Sequence, residues 1–288
     1  MELSQQHESL LILRSSSIFC GLTLTLTLFI SCKSGFEKDN LLPQVTPDQA
    51  CIGLFGMPNE QSGVNQDDCS LICSCGEGDR TYSQPELDSD LFTYTHINPI
   101  APLNDDPYQN PEGFDPLQEE QVCVVKRDDQ LRQYTVQSTN FKEAKPEQIT
   151  HLGPCGACSS LQDLSVYMSR TDLTEPVRSC GLQGITQGME ANVDCLQALG
   201  FSESCAVIWY YNTLNTRTVC LDVCLAQLNE SYLTEEGVLN DCLACDERES
   251  GPVFKRYSGR TRRNSGLASA ICRPCATVAR LNHSYLVD

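Results

Sequence analysis

Two cysteines three residues apart, Cys155 and Cys158, lie in the stretch His151-Leu-Gly-Pro-Cys-Gly-Ala-Cys-Ser-Ser-Leu-Gln-Asp163. Glycine and proline stiffen this loop, and an amphipathic pattern starts directly after it, so the loop delivers both sulfurs to the first turn of a helix. Free amides and the dipole at a helix start lower a thiol's pKa toward the reactive thiolate. On that reading Cys158 is a nucleophile, and His151, His283 and Asp163 are the titratable groups that could serve it. The opposing reading asks for no chemistry: both sulfurs are bridged and pin the loop to its neighbours.

A second constellation is Lys255-Arg-Tyr-Ser-Gly-Arg260-Thr-Arg262-Arg263-Asn264, which sets five basic residues within nine positions of a chain whose net charge is −18. Guanidinium forks, together with Asn264 or Ser265 capping a following helix, suit a carboxylate, sulfate or phosphate. The expectation is that the 151–163 and 255–266 loops converge on one pocket for a small anionic ligand. Lys255, Arg260, Arg262, Arg263 and Asn264 would then be its binding groups. The alternative is that these arginines answer carboxylates inside the fold. Nucleic acid is not expected as a partner, because the overall field repels it.

Cys242-x2-Cys245 with Cys272-x2-Cys275 has four-cysteine zinc spacing, and the acids of Asn104–Asp115 could ligate calcium through oxygen. The first set reads more simply as disulfides and the second as a solvated acidic loop, so no metal and no cofactor are expected.

The 151–163 loop resembles a thioredoxin-type redox motif, although Glu147–His151 before it reads as a poor strand. It also resembles the nucleophile loop of papain-like cysteine proteases. That resemblance implies a bridged Cys155, a nucleophilic Cys158 and His283 as base. The chain departs from the protease pattern at Ser159, where tryptophan is usual, and at Leu152, where the oxyanion glutamine belongs. The whole string His-x-Gly-Pro-Cys-Gly-x-Cys-Ser-Ser-x-Gln-Asp-Leu resembles a cysteine-rich family of exported microbial proteins. Further shared strings are Ile208-Trp-Tyr-Tyr-Asn212, Ser250-Gly-Pro-Val-Phe-Lys255 and Gly259-Arg-Thr-Arg-Arg-Asn264. The resemblance carries no activity with it.

The elements that must hold these residues are short of ordinary core material. The chain has 18 cysteines, one tryptophan and 40 % hydrophobic residues. Such cysteine density belongs to an oxidising compartment, where bridges supply order. Residues 1–31 read as a signal peptide, with an apolar run too short to anchor in a bilayer. Phe29-Ile-Ser-Cys32 resembles a bacterial lipobox, so Cys32 is expected to carry lipid and residues 32–50 to form a tether. The expected address is a bacterial outer-membrane, periplasmic or cell-surface lipoprotein, the membrane being reached through the lipid; plain secretion is the alternative.

Removing Cys20 and Cys32 leaves sixteen cysteines, five before His151 and eleven after it, so full pairing forces a bridge between the halves. Residues 51–150 form an acidic, proline-rich section. Within it Gln121–Lys126 and Leu131–Gln137 read as a hairpin. Residues 151–288 read as helices over Ser159–Ser169, Gln187–Leu199, Ser202–Leu228 (interrupted near Asn212–Thr216) and Leu267–Leu281. Asn229–Gly266 reads as irregular. The fold class expected is mainly α with a small β-hairpin, disulfide-rich, with an irregular acidic N-terminal section.

Overall fold

The computed structural model describes residues 71–72, 84–109, 121–170, 172–234, 239–267, 269–271, 273–274, 279, 281 and 283–287. The signal segment, Cys32, the tether, residues 110–115 of the acidic loop, and Cys272 and Cys275 lie outside them.

The hairpin forms where the alternation puts it, as β3 (Gln121–Asp128) and β4 (Gln133–Asn140), with Val125 opposite Val136. Asp128 shapes the turn by accepting the amides of Gln130 and Leu131. β2 (Thr95–His96) adds in parallel to β4, and β5 (Ile149–Leu152) adds antiparallel to β3, which gives the order β2-β4-β3-β5. β3 is therefore covered on both faces. Cys123 and Val125 join the main core, while Val122 and Val124 pack with Ile149, Leu152 and Ala279. An unbroken apolar run is what a doubly covered strand requires. The segment before the cysteine loop, poor as a strand by composition, is thus β5 after all, and all four of its residues are buried.

β1 (Leu71–Ile72) pairs with β6 (Arg273–Pro274), so the expected helix over Leu267–Leu281 is corrected: the described part of that stretch includes a strand. A four-residue turn of helix, α1 (Gln84–Leu87), precedes β2.

Helices then dominate. α2 (Leu161–Ser169) starts at Ser160, whose hydroxyl accepts the Asp163 amide. α3 (Thr174–Gln187) and α4 (Met189–Ala198) follow, joined through Gly188 at φ 89°. α5 (Glu203–Ala226) is a single 24-residue helix with no break at Asn212–Thr216. There Thr213 and Thr216 bond back to the helix's own carbonyls, while the side chains of Asn212 and Asn215 reach out to Asp246 and Ser250. The stretch expected to be irregular holds both of those helices, α6 (Asp241–Glu249) and α7 (Gly251–Ser258).

Five disulfides among the described residues lock this order. Cys123–Cys155 joins sheet to loop and is a bridge between the two halves of the chain. Cys158–Cys205 joins the loop to the first turn of α5, and Cys180–Cys195 clips α3 to α4. Cys220–Cys245 and Cys224–Cys242 staple α5 to α6 in parallel, as residues on one helix face can. No helix among the described residues is long and apolar enough to cross a membrane.

Candidate functional site

The two loops singled out by sequence do meet, but they meet as an interlock. Gly156 and Gly259 approach so closely that a Cβ on Gly259 would lie 2.3 Å from the Gly156 nitrogen. Ala157 and Cys158 donate their amides to the carbonyls of Tyr257 and Ser258, each at 2.8 Å. Arg260, at 0 % exposure, fills the space beneath. Its Nε donates to the Cys158 carbonyl, Nη1 to the Thr150 carbonyl and Ser265 Oγ, and Nη2 to Thr150 Oγ1 and the Ser159 carbonyl. All five donors of the guanidinium are spent on the protein itself. Burial lowers its pKa, yet the acceptors keep the cation solvated from within.

Asn264 caps no helix. Its amide donates to the carbonyls of Leu152 and Gly259, while its oxygen accepts the Thr261 amide. Arg262 donates to the carbonyls of Tyr167 and Arg170 and lies over the Tyr167 ring. Arg263 and Lys255 share the Glu247 carboxylate at 3.0 and 3.2 Å.

The candidate thiol is bridged. Cys158 is fully buried in its disulfide with Cys205 and Cys155 is bonded to Cys123, so neither presents a thiolate in this state. Nor are the two bonded to each other, as an active redox pair of this spacing would be. His151 Nδ1 faces the Leu152 carbonyl at 2.9 Å and must carry the proton, so Nε2 accepts the Ser159 hydroxyl at 2.7 Å. This has the form of a serine–histidine pair, but both residues are at 0 % exposure and Ser159 Oγ is also taken by the Gly156 amide.

His283 follows the same logic. Nε2 donates to the Ser265 carbonyl, Nδ1 accepts from the Tyr285 hydroxyl, and Thr150 Oγ1, 2.9 Å from that phenol oxygen, supplies the proton of the remaining contact. Burial and the Arg260 charge hold both imidazoles below their usual pKa, His283 at about 4. Asp163, fully buried, has its carboxyl pushed up by burial and accepts the hydroxyls of Ser160 and Ser202. Cys158, His151, His283, Asp163, Arg260 and Asn264 are therefore brought together, into a filled junction, whereas Lys255, Arg262 and Arg263 lie outside it.

Open space lies elsewhere. A cavity of about 520 Å³ runs between α3, α5, α6 and α7. Leu182, Ile185, Leu214, Leu221 and Leu225 form apolar wall, and four of them stay 45–60 % exposed. Lys255, Arg262 and Arg263 border this cavity, whereas Arg260 and Asn264 do not. Tyr167 Oη, Asn192 Oδ1 and Trp209 Nε1 are buried; the Trp209 N–H faces the Tyr167 hydroxyl, Asn192 Oδ1 meets no donor among the described residues, and all three residues line the same space. Arg217 lines it too, half-buried and with no ion pair among the described residues.

Residues 189–281 match the model of a family of unknown function (DUF8771). No curated protein and no solved structure matches the chain. The match takes in α4 to α7, hence much of the cavity wall, and begins after the 151–163 motif. Together with the disulfides it fits an uncharacterised cysteine-rich family.

Among the described residues no group of three or more His, Cys, Asp or Glu side chains is placed to hold a metal ion. Cys242 and Cys245 are each bonded to α5. Asp106 of the acidic loop turns its carboxylate onto the Tyr108 amide and the Gln109 side chain.

Sequence reasoning missed the cavity. Its one visible signal was the row Leu214, Leu221 and Leu225, which shares a face of α5 yet has no polar alternation to mark it as surface.

Proposed function

We propose that this chain is an exported, disulfide-braced binding protein that holds a small, largely apolar ligand in the cavity between α3, α5, α6 and α7. The observation that carries this reading is an apolar-walled cavity of about 520 Å³ on which the buried polar atoms of Tyr167, Asn192 and Trp209 converge, with no partner among the described residues beyond the Trp209–Tyr167 contact. Buried polar groups are ordinarily satisfied, and pockets of some 300–1,000 Å³ with mainly apolar walls and a few aimed polar groups are typical small-molecule sites. The bridged Cys158 removes the thiol on which the enzymatic alternative rests.

Export is part of the same proposal, and the disulfides support it, because such bridges persist outside reducing compartments. Lipid on Cys32 would hold the protein at a membrane surface; the mass of the mature N-terminal peptide tests that part separately.

The binding test uses the neutral fluorophore N-phenyl-1-naphthylamine. Saturable, one-to-one fluorescence enhancement is expected, with energy transfer from Trp209, the chain's single tryptophan. Leu221→Glu should abolish it while leaving the melting transition in place. Absence of saturable binding to the native protein overturns the reading.

A further inference from the structure

We infer that the ligand is a single-chain anionic amphiphile, an acyl carboxylate, whose head is held at the Trp209–Arg217 half of α5 and whose chain lies along the leucines beyond. This rests on the cavity reading above and specifies its chemistry. Along α5 the lining changes character, from Trp209, Thr213, Thr216 and Arg217, with Leu214 among them, to Leu221 and Leu225, and Leu228 follows just past its end. At 1.5 Å per residue the distance from Trp209 to Leu225 is about 24 Å, an elongated site.

The polar half is also where cations gather. Thr216 and Asn212 bond Asp246, and its neighbour Glu247 holds both Lys255 and Arg263. Arg262 lies over the Tyr167 ring. Arg217 adds a further guanidinium that meets no carboxylate among the described residues.

A chain of net charge −18 that lines an apolar cavity with Arg178, Arg217, Lys255, Arg262 and Arg263 against Asp172, Asp246 and Glu247 has made that cavity locally positive. The Tyr167 hydroxyl, which takes the Trp209 N–H, keeps its own proton to donate, and a carboxylate can accept it.

The test displaces bound N-phenyl-1-naphthylamine from the full chain with palmitate, hexadecanol or hexadecyltrimethylammonium, reading probe and Trp209 fluorescence. Palmitate is expected to displace at tenfold or lower concentration than either of the others, one per protein. Arg217→Glu should erase that preference, with a melting transition kept in place to certify the fold of the variant. Arg262→Gln should weaken palmitate in the same direction. Equal displacement by all three heads overturns the inference while the cavity reading survives. Failure of the neutral probe itself overturns both. A dimer by light scattering that Leu225→Glu makes monomeric would show a second copy as the occupant and overturn the inference as well.

Discussion

Asp163 accepts the backbone amide of Ser202 at 2.8 Å through one oxygen and the Ser202 hydroxyl at 2.9 Å through the other. The same carboxylate takes the Ser160 hydroxyl at 2.5 Å. One buried side chain in the first turn of α2 thus organises the N-termini of both α2 and α5, and the Cys158–Cys205 bridge crosses the same junction. A fixed negative charge at two helix starts satisfies donors that the helices themselves cannot. This geometry gives Asp163 a structural task, and it explains how a carboxyl whose pKa burial raises is tolerated.

Asp163→Ala should therefore destabilise the fold by about 3 kcal/mol, as loss of a cap adds to the cost of stranded buried donors. Denaturant unfolding followed by circular dichroism reads the shift in midpoint. A change of less than a few tenths of a kcal/mol would mean that water replaces the carboxylate and that the junction is not as closed as described.

Acid should weaken the protein through its histidines. Both buried imidazoles have lowered pKa values, His283 at about 4 against an unfolded value of 6.5. Between those values the unfolded chain binds more protons, so stability rises with pH. The contribution is intact above pH 6.5 and is lost as pH falls toward 4, at about 1.4 kcal/mol per pH unit for each histidine, or about 3 kcal/mol in all for His283. Asp163 and Asp246, whose carboxyls burial pushes up, act in the opposite sense from 3.8 upward and reduce the net slope. His283→Gln keeps a donor and an acceptor without titrating. Its stability should depend less steeply on pH between 4 and 6.5, and an unchanged slope would refute the assignment.

The ten cysteines bridged among the described residues should resist alkylation in the unreduced protein, Cys158 included. Iodoacetamide labelling under denaturing, non-reducing conditions, followed by peptide mass mapping, is the measurement. A labelled Cys158 would restore the thiol reading. Replacing Cys224 and Cys242 together by serine opens one of the two parallel α5–α6 bridges across an 18-residue separation. The loss should be about 3 kcal/mol or less, because Cys220–Cys245 still closes the loop.

Local pattern was enough for the hairpin and for helices beginning near Ser159 and Ser202. Each depends on residues near in sequence. What stayed hidden depends on distant partners. β5 is a strand because β3 offers its edge, and Ile149 is buried by Ala279 from the far end of the chain. α6 and α7 have little intrinsic signal and are helical where the Cys220 and Cys224 bridges and the Trp209–Phe254 ring contact dock them. The arginine run showed its charge but not its direction: Arg260 turns inward and Arg262 and Arg263 turn toward a cavity that no string of residues announces.

Arg260 and Arg217 separate the two roles that cluster could have had. Arg260 spends five donors on four backbone or hydroxyl partners of the 150–159 strand and loop and on Ser265. A lysine there keeps the charge but has three donors and no planar fork. It strands at least two buried acceptors and leaves a less well solvated charge. Arg260→Lys is therefore expected to cost about 3 kcal/mol or more and, once folded, to bind the neutral probe with native affinity, since Arg260 does not line the cavity. Arg217→Glu should do the reverse, leaving stability within about 0.5 kcal/mol, as for an unpaired surface side chain, while changing ligand preference. Thermal melts and probe titrations on both variants give four numbers that must form this crossed pattern. If Arg260→Lys instead spared stability and removed ligand uptake, the anion would sit at the interlock of the 151–163 and 255–266 loops, and the cavity between α3 and α5 would be unused.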